Sequence, residues 1–130
     1  INIFYGGEVS VEDRNSCLAS CDAAFVTLDS GMYGLGVPSK AYFSMCFDKP
    51  ILAVMDANSE IARVVTEDKI GWYCEPKNPK KLAHLIDKIA EGRWKGKIAS
   101  SREVLIQKYS QTQSLNMFSY VVRSVLSVGR

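Results

Sequence analysis

Residues 23–54, AAFVTLDSGMYGLGVPSKAYFSMCFDKPILAV, decide the fold. The apolar run Ala23-Ala24-Phe25-Val26-Thr27-Leu28 fits a strand buried on both faces, as in a parallel sheet. A loop from Asp29 to Pro38 follows, carrying Gly31, Gly34 and Gly36, and a helix is expected from about Lys40 to Phe47. Asp48-Lys49-Pro50 breaks that helix, because proline has no N–H to continue it. Ile51-Leu52-Ala53-Val54 is then a second short strand, so the stretch reads as one β-α-β unit.

Outward from this unit the pattern repeats. Asp56-Ala57-Asn58-Ser59 is a turn cluster able to cap a helix over Glu60 to about Glu67. Gly71-Trp72-Tyr73-Cys74 reads as a strand, with Trp72 and Tyr73 packing there, and Glu75-Pro76 closes it. Pro79 starts an amphipathic segment, Lys80 to Glu91, that sets Leu82, Leu85, Ile86 and Ile89 on one face. His84, the one histidine, falls inside it and reads as structural. Upstream, Ser10-Val11-Glu12-Asp13 resembles a capping box and predicts a short helix to about Ser20. Ile1-Asn2-Ile3-Phe4-Tyr5 alternates apolar and polar like a strand already under way, and a start at Ile1 reads as an excised fragment. Two helices, about Ile98 to Tyr109 and Ser114 to Leu126, end the chain. Strands alternating with helices predict one α/β domain over residues 1–130. It is a Rossmann-like, doubly wound parallel sheet flanked by helices, truncated at its N-terminal side, with two C-terminal helices.

Composition narrows the function. The 130 residues are 47% hydrophobic and 23% charged, which excludes a disordered chain. A formal charge of +2 is far from the concentrated basic surface that nucleic-acid binding requires. No apolar run approaches the roughly 18 residues that span a bilayer, so the chain reads as soluble. Cys17, Cys21, Cys46 and Cys74 form no Cys-x-x-Cys pair and are expected as reduced, mostly buried thiols. No metal is expected. Lys77, Lys80 and Lys81 read as a solvated face, with contact at the inner face of a membrane as the sharper alternative.

The loop carries the chemistry. In open parallel sheets ligands bind outside the carboxyl ends of the strands, where Asp29 to Ser39 should lie. The glycines allow positive φ and close backbone approach, and Ser39 or Lys40 opens a helix whose first N–H groups are unpaired. Such an end suits a phosphate, and Lys40 adds a cation beside it. A surface loop with a helix cap is the alternative. Gly-x-x-Gly-x-Gly reverses the dinucleotide fingerprint, and Ser-Lys is not the Gly-Lys-Ser/Thr of a P-loop.

The segment from Cys17 to Ile86, with "AAFVTLDSG", "VPSK", "KPILAV" and "SEIARVV" in order, resembles the carboxy-terminal, donor-binding domain of GT-B-fold glycosyltransferases of the family-four-like, group-one kind. Those relatives build bacterial capsule and lipopolysaccharide. The resemblance implies that Gly34, Gly36, Val37, Pro38, Ser39 and Lys40 approach the diphosphate and sugar of a UDP- or GDP-linked donor. Tyr5 and Gly6 would then lie near the base, matching the family's Phe-x-Gly turn. Many relatives carry a Glu-x(7)-Glu pair whose second member grips the ribose; here those positions fall on Phe43 and near Leu35, without a carboxylate. Glu60 is the candidate sugar or ribose contact, though an acid in a first helical turn also stabilises the dipole with no ligand.

The implied reaction transfers a sugar from a nucleotide diphosphate to an acceptor saccharide or lipid-linked saccharide. The acceptor site and catalytic residues are expected from an amino-terminal domain, and the fragment alone is expected to be inactive. No cofactor is implied beyond the nucleotide-sugar co-substrate, and no nucleic acid. Leu115, Phe118, Val122 and Leu126, with Met117, Val121 and Val125 beside them, form a broad apolar stripe. It is expected either to fold onto the chain's own sheet or to be buried in a homodimer. Two rival readings are a nicotinamide- or flavin-dependent oxidoreductase half-domain and a non-catalytic α/β interaction module.

Overall fold

The computed structural model describes residues 3–128, and within them three parallel strands pair in the order β1-β2-β3. The elements are α1 (Arg14–Ser20), β1 (Ala24–Thr27), α2 (Ser39–Cys46), β2 (Ile51–Val54), α3 (Glu60–Glu67), β3 (Gly71–Cys74), α4 (Pro79–Ala90), α5 (Ser101–Tyr109) and α6 (Gln111–Val128). The chain is thus α/β, a short parallel sheet flanked by helices, with two helices at its end that meet at Ser110. The strand order runs one way only. The point at which a doubly wound sheet reverses is therefore not among these three strands.

Local chemistry explains the boundaries. Asn78 caps α4 by accepting from the Lys81 N–H at 3.1 Å, with Pro79 pre-set at the first helical position. Ser10 Oγ accepts from the Asp13 N–H at 3.0 Å, as a capping box would, but α1 begins only at Arg14. The α2 helix ends where Asp48 enters the left-handed region at φ 54°. Its carboxylate then accepts from Ser100 Oγ at 2.8 Å and from the Arg102 N–H at 3.1 Å, which ties the start of α5 to the end of α2. Ser101, fully buried, adds a bond from its hydroxyl to the Lys49 carbonyl at 3.1 Å.

The core lies on one face of the sheet. Val26, Ile51 and Ala53 meet Met45 of α2 and Ile61 and Val65 of α3, joined by Met55 and Ile70, and α5 adds Val104 and Leu105 at its edge. Full burial of each large aliphatic side chain there stabilises the fold by about 1.5–3 kcal/mol. The pairing of Ile51 with Gly71 is close enough that no side chain fits at Gly71. An added Cβ would stand 2.0 Å from the Ile51 carbonyl oxygen.

Three expectations are corrected. Ile3, Phe4 and Tyr5 form no strand and are exposed, because no neighbouring strand is there to satisfy them, while Ile1 and Asn2 lie outside the described residues. The β1 strand is buried on one face only; Phe25, pointing the other way, is 49% exposed because nothing covers that side of a sheet edge. Of the four free thiols only Cys74 is buried, and Cys17 and Cys46 are exposed. Of the two alternatives for the α6 stripe, folding onto the chain's own sheet is not seen: Leu115, Phe118, Val122 and Leu126 all remain exposed, and α6 packs mainly against α5. Trp72 does pack at its strand, edge-on to Trp94 at 5.3 Å between ring centroids. His84 sits exposed on α4.

Candidate functional site

The chain leaves β1 through Leu28, whose N–H still bonds to the Val54 carbonyl at 3.0 Å, and then turns twice. Met32 N–H reaches the Asp29 carbonyl at 3.2 Å and Leu35 N–H the Met32 carbonyl at 3.1 Å. Gly31 at φ 84° and Gly34 at φ 78° make these turns possible, since a side chain rarely tolerates that region. Gly36 is different. Its φ is not in that region, and a Cβ there would meet nothing within 4 Å. The loop delivers Pro38 to the start of α2, where no side chain caps the helix. The first N–H groups of α2 therefore face outward, with Lys40 exposed at the second position. Among the described residues Lys40 enters none of the ion pairs.

Beside the loop lies an open cleft of about 580 Å³. The loop from Tyr33 to Val37 forms one wall, the turn from Asn58 to Glu60 with Arg63 of α3 another, and Asp68, Lys108 and Tyr109 close its far end. Three acids (Glu60, Glu67, Asp68) face two bases (Arg63, Lys108), leaving the lining one charge acidic. Both bases are occupied. Arg63 pairs with Glu67 at 3.2 Å, and Lys108 donates to Asp68, a hydrogen bond that holds the Lys108 ammonium above its usual range. Glu60 is the one charged lining side chain outside these ion pairs.

The Glu60 carboxylate is nevertheless oriented. Tyr42 of α2 donates its phenol to Glu60 Oε1 at 2.7 Å, and Tyr109 of α5 tilts against the Tyr42 ring at 5.3 Å. Burial first, then the bond to Glu60, push the Tyr42 phenol well above its usual range, so it stays a donor. Among the described residues, the second oxygen of Glu60 takes no hydrogen bond. A carboxylate in that state suits hydroxyl groups, which it accepts in pairs.

Of the residues singled out from the sequence, Gly34, Gly36, Val37 and Glu60 line the cleft, while Pro38, Ser39 and Lys40 follow directly in the chain and do not. Tyr5, 91% exposed, and Gly6 also lie off its lining. Phe43 carries the Arg14 guanidinium over its ring at 5.0 Å. Sequence reasoning missed Tyr42, Arg63 and Asp56. Arg63 stands three residues after Glu60, a spacing that puts both on one helical face and was a usable signal. Asp56 stands two residues past β2, at the strand end where a site belongs, and its carboxylate takes bonds from the Gly31 N–H at 2.8 Å and the Ser30 hydroxyl at 3.2 Å.

Among the described residues no cluster of His, Cys, Asp and Glu is arranged to hold a metal, and no helix is long and apolar enough to cross a membrane. The chain is 51% identical over 123 residues to the probable glycosyltransferase WbjE of Pseudomonas aeruginosa, a match that takes in 95% of the chain. It spans 31% of that protein's length. No family model matches the chain, and no solved structure does.

Proposed function

With that likeness as the premise, we propose that this chain is the donor-binding part of a glycosyltransferase. It holds a UDP- or GDP-linked sugar for transfer to an acceptor hydroxyl in the cytoplasm, at the inner face of the membrane, during capsule or lipopolysaccharide synthesis. The single observation that carries the activity is the 51% identity to a probable glycosyltransferase across nearly the whole chain. The geometry supports a division of labour within the donor. The cations of the cleft are already neutralised by Glu67 and Asp68, whereas Lys40, in no ion pair among the described residues, stands at the uncapped start of α2. The diphosphate belongs at Ser39 and Lys40, and the hydroxyls of the sugar or ribose belong at Glu60.

Chemistry follows from that placement. As the glycosidic bond to the donor breaks, the diphosphate gains negative charge, so N–H groups and an ammonium aimed at it stabilise the transition state more than the ground state. The catalytic base and the acceptor site come from the rest of the protein. Titrating the chain with UDP, GDP and NAD tests the reading. Nucleoside diphosphate binding that Lys40→Ala weakens by about 1–3 kcal/mol is expected, the range for a charged hydrogen bond lost. Unchanged affinity in that variant refutes the phosphate assignment.

One observation favours a second reading. A dinucleotide-binding unit has its glycine-rich turn after the first strand of a parallel pair and an acid at the end of the second, where Asp56 stands. Both oxygens of Asp56 are engaged by Ser30 and Gly31, which leaves that acid poorly placed for a ribose. Preference for NAD over UDP and GDP in the same titration selects this rival.

A further inference from the structure

We propose that Asp56 is the positioning residue of the cleft, holding both of its walls in register from one place. The proposal rests on the donor-binding reading above. From Asp29 to Pro38 the loop has no strand or helix of its own and no apolar residue that is fully buried. Its two turns are internal and do not tie it to the body of the protein. The Asp56 carboxylate supplies that tie, accepting from Gly31 N at 2.8 Å through Oδ2 and from Ser30 Oγ at 3.2 Å through Oδ1. Gly31 can aim its N–H there because it adopts φ 84°.

The same residue sets the opposite wall. The Asp56 carbonyl accepts from the Ser59 N–H at 2.9 Å, closing the turn that starts α3 and presents Asn58 and Glu60 to the cleft. Ser59 itself contributes no cap: its hydroxyl is buried without a partner, and the turn depends on the backbone bond from Asp56. Met55, fully buried just before it, anchors Asp56 to the sheet through its N–H bond to the Cys74 carbonyl at 3.3 Å. Side chain and main chain of one residue thus locate the glycine loop and the Glu60 turn against each other. Asp56 acts on a ligand only through the loop.

The test uses this chain, with UDP and GDP as probes, and compares Asp56→Ala with Asp56→Asn. Loss of the carboxylate frees the loop while leaving the backbone bond and the core intact. Asp56→Ala is therefore expected to speed amide exchange across residues 30–37 and to weaken nucleoside diphosphate binding about ten-fold, with the melting temperature nearly unchanged. The Asn amide can still accept from Gly31 and donate to Ser30, so Asp56→Asn should restore both readouts. Unaltered exchange at 30–37 in Asp56→Ala overturns the proposal. So does a loss that Asn fails to rescue, or one that tracks global melting. If the wild-type chain binds neither nucleotide, the donor reading fails on its own, and the exchange comparison alone decides the role of Asp56.

Discussion

Replacing Gly71 with alanine should unfold much of the protein, although the change adds a single methyl group. The new Cβ would lie 2.0 Å from the Ile51 carbonyl oxygen, 2.6 Å from its nitrogen and 2.8 Å from its carbonyl carbon. Non-bonded carbon contacts are favourable only near 3.5–4.0 Å, so strands β2 and β3 would have to part by roughly 1 Å or more at this pair. The obstacle is backbone, and no rotamer change relieves it. Separation breaks the bond from the Ile51 N–H to the Ile70 carbonyl, now 3.1 Å, and both residues are fully buried. A buried polar group left unsatisfied costs about 1–3 kcal/mol, and overpacking adds about 1–3 kcal/mol. The sum, about 2–6 kcal/mol, is a large share of the 5–15 kcal/mol that typically separates native from unfolded states. Urea unfolding followed by circular dichroism measures it. A Gly71→Ala variant within about 1 kcal/mol of wild type would show that the strands tolerate the added atom and that the reasoning is wrong.

Gly36→Val should behave in the opposite way, melting like wild type because its backbone is unstrained and its surroundings empty, yet weakening nucleoside diphosphate binding at least ten-fold by filling the cleft wall; normal melting with full affinity in a binding titration refutes that role. The Asp48 carboxyl is held below its ordinary value of 3.8, first by the Arg102 N–H and then by the Ser100 hydroxyl. Its contribution to stability is therefore fully present above that value and is lost as pH falls through the lowered one. Melting curves should show Asp48→Asn less stable than wild type at neutral pH, the gap closing as pH falls below 3.8; a gap that persists at low pH removes the charge from the explanation.

Most of the fold was legible where the signals are local. The expected limits of β2, α3 and β3 match because Pro50, the Asp56–Ser59 turn and Glu75-Pro76 punctuate the chain wherever it folds. What depends on a neighbour was not legible. The β1 run looks the same whether one or both faces are covered, and the Ile3–Tyr5 alternation looks the same with or without a strand beside it. The apolar residues of α6 announced an amphipathic helix but not that its stripe would stay exposed. In the site, the glycine loop was found because glycine marks backbone demands in the sequence itself. Asp56 was missed because its bonds reach back 25 and 26 residues, and Tyr42 because its partner Glu60 lies 18 residues on and on another helix.

Every pairing in the sheet is short-range in the chain: Ala24 meets Ile51 and Ile51 meets Gly71, 27 and 20 residues apart. Loop-closure entropy grows only with the logarithm of such lengths, so neither crossover is slow to close by the standard of parallel sheets. The central strand β2 belongs to both pairs, and its residues Ile51 and Ala53 are wholly buried. During synthesis β1, α2 and β2 leave the ribosome before β3, and the Ile70 and Cys74 carbonyls then accept from the Ile51 and Met55 N–H groups. The glycine loop, however, is tied down only when Asp56 arrives just behind β2. The chain thus emits its first two strands, ties the glycine loop beside them a few residues later, and completes the sheet only with β3.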